Sequence, residues 1–191
     1  MPKITEQQRE LRRRQILEAA WACFYRRGVA ATTMDDIIRE AGLSAGAMYI
    51  YFASKEELIL SAITTSLGEL EGVLNPLLES GLHLSADALL MEVLDRLVIF
   101  SKRGSFHFFR VAVHGWSEAQ RNESLRELML QFYETFRLRL AEMLVPRANS
   151  QEQAQLLLSI ILGFIVQMSL IEDVDIDIET HVKGLKAFRG W

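Results

Sequence analysis

Three helix N-caps follow one another between Thr33 and Ser54, with no run of β-branched residues between them. Thr33-Met34-Asp35-Asp36 pairs a hydroxyl cap with an acid three residues on, Ser44 precedes a second short stretch, and Ser54-Lys55-Glu56-Glu57 is a full capping box. Met34, Ile37, Ile38 and Ala41 fall at helical spacing. Gly42 follows where a helix C-terminus needs a residue tolerant of positive φ. Punctuation this dense leaves room only for two short helices joined by a tight turn, a helix-turn-helix with its second helix over Ala45 to Tyr51.

The same stretch contains Gly42-Leu43-Ser44-Ala45-Gly46, which satisfies the G-x-S-x-G pattern of a hydrolase nucleophile elbow. An elbow needs a strand entering and a helix leaving, with a histidine and an acid placed later in the chain. Here the entering segment, DDIIREA, has a 3.6-residue period, and His83, His107, His114 and His181 sit in separate helical or loop contexts. A turn explains Ser44 better than a nucleophile, and an esterase-like hydrolase stays only as the alternative. The histidines also lack the H-x-x-x-H spacing of a helical zinc site, so neither metal nor cofactor is indicated.

Helical periodicity continues on both sides. Ile16, Ala20 and Phe24 repeat at i, i+4, i+8 beside Leu17 and Trp21, opposite a set of arginines, until Gly28. Beyond Ser54 the pattern predicts a helix from Lys55 to about Val73, ended or kinked by Asn75-Pro76. Further helices are predicted from Ser85 to Lys102, from Gly104-Ser105 to about His114, and from Glu123 to Leu144. Two more follow, from a Ser150/Gln153 capping box to Ile171 and from Ile178 to Phe188. No segment offers a credible sheet. The predicted class is all-α, with a three-helix helix-turn-helix unit over residues 1–54 and a helical unit over 55–191.

Ala154 to Ile171 carries no charge and is long enough to span a membrane. Its flanks, Glu152, Glu172 and Asp173, are not the basic and aromatic anchors of a membrane interface. Burial on two sides, against its own core and against a second subunit, is the expected use of a helix apolar all round. A membrane-associated helical protein is the remaining alternative.

Net charge is −4, which alone argues against nucleic acid, but it is unevenly spread. Residues 1–30 hold Lys3, Arg9, Arg12, Arg13, Arg14, Arg26 and Arg27 against Glu6, Glu10 and Glu18, whereas Glu172, Asp173, Asp175, Asp177 and Glu179 crowd a short segment near the other end. A basic N-terminal arm attracts a polyanion locally whatever the total. The lone Cys23 excludes an internal disulfide framework, and the first residues lack the apolar core of a signal peptide, so a cytoplasmic protein is expected.

With Thr33-Met34-Asp35-Asp36-Ile37, Ala41-Gly42-Leu43-Ser44, Gly46, Tyr49-Ile50-Tyr51-Phe52 and Ser54-Lys55-Glu56-Glu57-Leu58, the chain resembles the DNA-binding domain of TetR-family bacterial transcriptional regulators over about residues 10–58. The resemblance implies a homodimeric, ligand-responsive regulator, a repressor that binds a palindromic double-stranded operator and is released by a small effector. Met48 and Phe52 would face the small core, leaving Ser44, Ala45, Gly46, Ala47, Tyr49, Ile50 and Tyr51 toward the major groove, with Thr33 and Lys55 at helix N-termini placed for phosphates. The chain departs from the family pattern at Ala45, Ala47 and Tyr51, where polar or basic residues are usual. Its base reading would rest on apolar contact.

The C-terminal half matches the family only in its helical layout. An aromatic concentration there, with a few polar groups, makes Phe100, His107, His114, Trp116, Tyr133, Phe136 and Gln167 the candidate effector contacts, for an aromatic or lipophilic molecule. Helices eight and nine are the expected dimer surface, with Leu156, Ile160, Gly163, Phe164 and Gln167 facing the partner.

Overall fold

The computed structural model describes residues 5–102, 108–146, 148–171 and 177–187. Helices α1 (Glu6–Arg27), α2 (Met34–Ala41) and α3 (Ala45–Tyr49) form the N-terminal unit. They are followed by α4 (Lys55–Leu78), α5 (Ala86–Ser101), α6 (Phe108–Ala119), α7 (Glu123–Met143), α8 (Ser150–Ser169) and α9 (Ile178–Ala187). Among the described residues the only β pairing is one isolated bridge, Leu84 with Leu144.

The helix starts follow the caps. Thr5, Thr33, Ser44 and Ser54 each accept from a backbone N–H three residues on, which satisfies a donor the helix itself leaves unpaired. Gly42 adopts φ 65°, and Leu43 N–H donates to Ile38 O at 3.1 Å, closing α2 in the left-handed manner glycine permits.

Four boundaries depart from the sequence pattern. α3 ends at Tyr49, and residues through Tyr51 continue as a turn, with Tyr51 N–H donating to Met48 O at 2.9 Å. α4 runs through Pro76 to Leu78, because Leu74 and Leu77 stay buried in the core and only the last turn lies beyond the ring. α6 continues past His114 to Ala119: Gly115 and Ala119 sit on its buried face, while Ser117 and Gln120 point to solvent. α8 is capped by Asn149, so Ser150 is its first residue and not its cap. The Gly104-Ser105 stop lies outside the described residues.

Two apolar clusters fill the interior. One gathers Ile16, Phe24, Ile37, Met48 and Phe52 under the helix-turn-helix and continues into Val111, Ala119, Leu125 and Met129 of α6 and α7. The other joins α4, α5, α7 and α8 around Leu74, Leu90, Leu94, Leu140 and Phe164. α4 contributes Leu58, Ile59, Ala62 and Ile63 to the first and Leu70, Leu74 and Leu77 to the second. Both clusters therefore share one helix.

α8 is long and apolar enough, by length and composition, to cross a membrane. In the fold it is a core helix: Leu157, Leu158, Ile161, Phe164, Ile165 and Met168 are buried against α5, α6 and α7.

Candidate nucleic-acid interface and interior cavity

The helix-turn-helix is braced from behind. Gln15 Nε2 donates to Ala41 O at 2.9 Å, and Arg13 donates to Ser61 Oγ at 2.6 Å with its guanidinium 4.8 Å above the Phe52 ring. Arg26 pairs with Glu40 at 2.5 Å and Arg27 with Asp36 at 2.8 Å. These pairs tie α1 to α2, and the hydrogen bond from Arg26 holds the Glu40 carboxyl below its ordinary range. Asp36 is lowered too, first by hydrogen bonds from the Thr33 hydroxyl and backbone N–H and then by the Arg27 charge. Among the arginines of the basic arm, Arg13, Arg26 and Arg27 thus serve the fold. Arg9 and Arg14, with Arg39 beside the turn, are exposed and have no partner among the described residues.

α3 presents a sharp division. Met48 and Phe52 are fully buried, whereas Ala45 and Gly46 are exposed, Tyr49 is 52% exposed and Ile50 is 71% exposed. An isoleucine left in water this completely gains nothing for the fold, since burial of such a side chain contributes about 1.5–3 kcal/mol. Ala47 and Tyr51 are only half-buried, and Tyr51 packs on the small core, so its ring does not stand outward as the pattern suggests. Ser44 Oγ accepts from Ala47 N–H at 3.2 Å and follows a helix, which accounts for the G-x-S-x-G match without chemistry. The Thr33 hydroxyl is likewise in use: it donates to Asp36 Oδ2 at 2.7 Å and accepts from Asp36 N–H, beside two acids. Lys55 Nζ donates to Ala30 O at 3.2 Å, a solvent-facing contact an arriving phosphate could replace.

Between α1 and the C-terminal helices lies a cavity of about 70 Å³, walled by Trp21, Ile63, Leu70, Trp116, Tyr133, Phe136 and further apolar residues of α4 to α8. Trp116 Nε1 donates to the Tyr133 hydroxyl, so the two aromatic polar groups satisfy each other. Burial pushes the Tyr133 phenol up to about 12, and it stays neutral at any physiological pH. No acidic or basic side chain is among the lining residues.

Of the candidate effector contacts, Trp116, Tyr133 and Phe136 line this cavity. Phe100 does not; it meets Phe108 edge-to-face at 4.9 Å behind the wall. His114 stands against Gly28 at the end of α1, 3.3 Å from where a β-carbon would lie. Gln167 is exposed and its Oε1 lies 3.4 Å from His181 Nε2. His107 lies outside the described residues. Trp21 and Met129 line the cavity unannounced by the sequence, because they come from two helices, α1 and α7, that only tertiary packing brings together.

On α8, Leu156 and Gln167 are exposed and Ile160 and Gly163 half-buried, but Phe164 is fully enclosed within the subunit against Phe109 and His181. It faces no partner. The open face instead follows Leu156, Ser159, Gly163, Val166 and Leu170, a 3-4-3-4 spacing, with Leu170 80% exposed.

The family model for bacterial regulatory proteins of the tetR family matches residues 16–62. The chain is 34% identical over 143 residues to an uncharacterized HTH-type transcriptional regulator, YfiR of Bacillus subtilis (strain 168), covering 75% of this chain and 68% of the relative. It is 30% identical over 189 residues to the HTH-type transcriptional regulator BetI of Rhizobium meliloti (strain 1021), covering 95% and 88% of the two chains. In fold it resembles a transcriptional regulator from Saccharomonospora viridis solved with choline, with TM-score 0.68, 23% identity, and 94% and 95% of the chains covered. The extent of these matches, on a chain built as a braced helix-turn-helix over a helical body, places it in the TetR family of DNA-binding transcriptional regulators, which are not enzymes.

Proposed function

We propose that the protein is a homodimeric repressor whose two α3 helices enter successive major grooves of a palindromic operator, and that a small apolar or aromatic effector in the cavity releases it. The exposed pair Tyr49 and Ile50, at the end of a short helix whose Met48 is fully buried, carries this reading. One five-residue helix makes too few base contacts for useful specificity, so two copies spaced by one DNA turn, ~34 Å, are required. Arg9, Arg14, Arg39 and Lys55 supply phosphate contacts, which fix register without reading sequence. Each phosphate neutralised steepens the salt dependence by roughly 0.9 log units per log unit of salt.

Base reading falls to Ala45, Ala47 and Ile50, whose side chains offer no hydrogen bond but fit the 5-methyl of thymine. Duplexes recovered from a random pool by the protein are expected to be rich in thymine at the α3 contacts. Replacing those thymines with uracil is expected to weaken binding several-fold; unchanged affinity in an anisotropy titration contradicts apolar reading.

The effector is uncharged where it is enclosed. A cation such as the choline held by the Saccharomonospora regulator would find aromatic faces here but no carboxylate to offset its desolvation. Toluene and choline, each titrated against protein on a recovered duplex, distinguish these: toluene is expected to release DNA at lower concentration. The dimer is expected to form through the open face of α8 with α9 alongside.

A further inference from the structure

The tryptophan that closes the cavity on one side does not belong to the body that holds the rest. Trp21 is an α1 residue, while the remaining lining residues come from α4 to α8. The same ring meets Phe24 edge-to-face, centroids 5.7 Å apart at 84°, and Phe24 is fully buried in the core that seats Ile37, Met48 and Phe52. Four residues on from Trp21, the Tyr25 ring lies 5.4 Å beneath the Arg110 guanidinium of α6. Three further, Gly28 faces the His114 ring of α6.

Trp21 and Tyr25 are one turn apart on α1, and Gly28 caps its end. Arg110 and His114 are four apart on α6, and between them Val111 and Ala112 reach the cavity. A continuous α1–α6 seam therefore runs from the cavity wall to the end of α1. From α1, Gln15, Arg26 and Arg27 hold α2 through Ala41 O, Glu40 and Asp36. Whatever shifts α1 carries the helix-turn-helix with it.

The geometry points to Trp21 as an effector-contacting residue supplied by the DNA-binding unit itself, which turns occupation of the cavity into displacement of α1 along its seam with α6. The inference rests on the cavity being the effector site. At about 70 Å³ the cavity is less than half the ~150 Å³ of an apolar cavity that admits benzene, so a ring-sized guest has to move a wall. Leu70, Leu74, Leu97, Leu158 and Ile161 belong to the C-terminal core and Trp21 to the other, so the boundary between the two passes through the cavity.

The test uses toluene as guest and a duplex recovered from a random pool by the unaltered protein. Guest binding is read from the 13C-methyl resonance of Met129, which lines the cavity, and DNA affinity from anisotropy with and without toluene. In the unaltered protein toluene is expected to weaken DNA binding about tenfold, within the range usual for coupled sites. In Trp21→Leu, room is made without moving α1, so toluene is expected to bind at least as tightly while weakening DNA binding threefold or less. Tight toluene binding with the tenfold effect intact overturns the inference and leaves α4 as the route. Absence of any toluene effect on Met129 or on DNA affinity in the unaltered protein overturns the effector-site reading, and the inference with it.

Should Trp21→Leu fail to fold, the unaltered chain labelled with 5-fluorotryptophan decides. The Trp21 resonance, assigned by elimination with Trp116→Phe and Trp191→Phe, is expected to shift with toluene and again with DNA. A Trp21 resonance indifferent to toluene overturns the inference.

Discussion

Gly163→Arg is expected to leave each subunit folded and to abolish specific DNA binding. A β-carbon built on Gly163 meets nothing within 4 Å inside the subunit, so the arginine finds open space there. Within the isolated helix, losing a glycine is even favourable by about 1 kcal/mol. The open α8 face places Gly163 midway between Leu156 and Leu170; in the proposed dimer a partner helix would approach most closely there, and a guanidinium would be driven into an apolar seam. A monomer presents a single α3, so its affinity is expected to fall toward the non-specific level, roughly 10³-fold or more below the dimer. Analytical ultracentrifugation, circular dichroism and anisotropy together check this. A dimeric Gly163→Arg protein with full DNA affinity would mean that another surface pairs the subunits.

Phe52→Ala is expected to cost about 3–5 kcal/mol, the usual range for removing a fully buried phenylalanine. Phe52 lies where α3 returns toward α4, in one buried core with Met48 and with the Arg13 guanidinium 4.8 Å above its ring. The core it belongs to extends into α6 and α7, and the loss is therefore expected to lower the melting temperature of the whole chain, by on the order of 10 °C. A calorimetric scan checks both points. A small separate low-temperature transition, with the main one unmoved, would instead make the helix-turn-helix an independent folding unit.

The N-terminal unit was legible because its signals are local. Thr33, Ser44 and Ser54 each cap within three residues of themselves, Gly42 is needed at one φ value, and Met48 and Phe52 are a single helical turn apart. Tyr51 departs from the pattern because α3 ends two residues early and its half-buried ring packs on the small core. α8 defeated periodicity for a different reason. A helix apolar all round has no marked face, so nothing in the sequence distinguished buried Phe164 from exposed Val166 two positions on. The cavity was legible only in part, through Trp116, Tyr133 and Phe136; Trp21 enters it from a helix whose pattern announces nothing but a core stripe. The α6 end falls beyond the apolar pattern because Ser117 and Glu118 are polar, although they lie on a helix whose other side is anchored by Gly115 and Ala119.

In the proposed complex the outward face of α3 lies against DNA, and Ile50 probes this most directly, because at 71% exposure it can be altered without touching the core. Ile50→Glu places a carboxylate where the account puts a thymine methyl between two phosphate rows. Titrated by anisotropy against the recovered duplex, at matched salt and with the fold verified by its melting curve, it is expected to bind at least 100-fold more weakly than the unaltered protein. Affinity within a factor of two of the unaltered value would contradict the account and take α3 out of the groove.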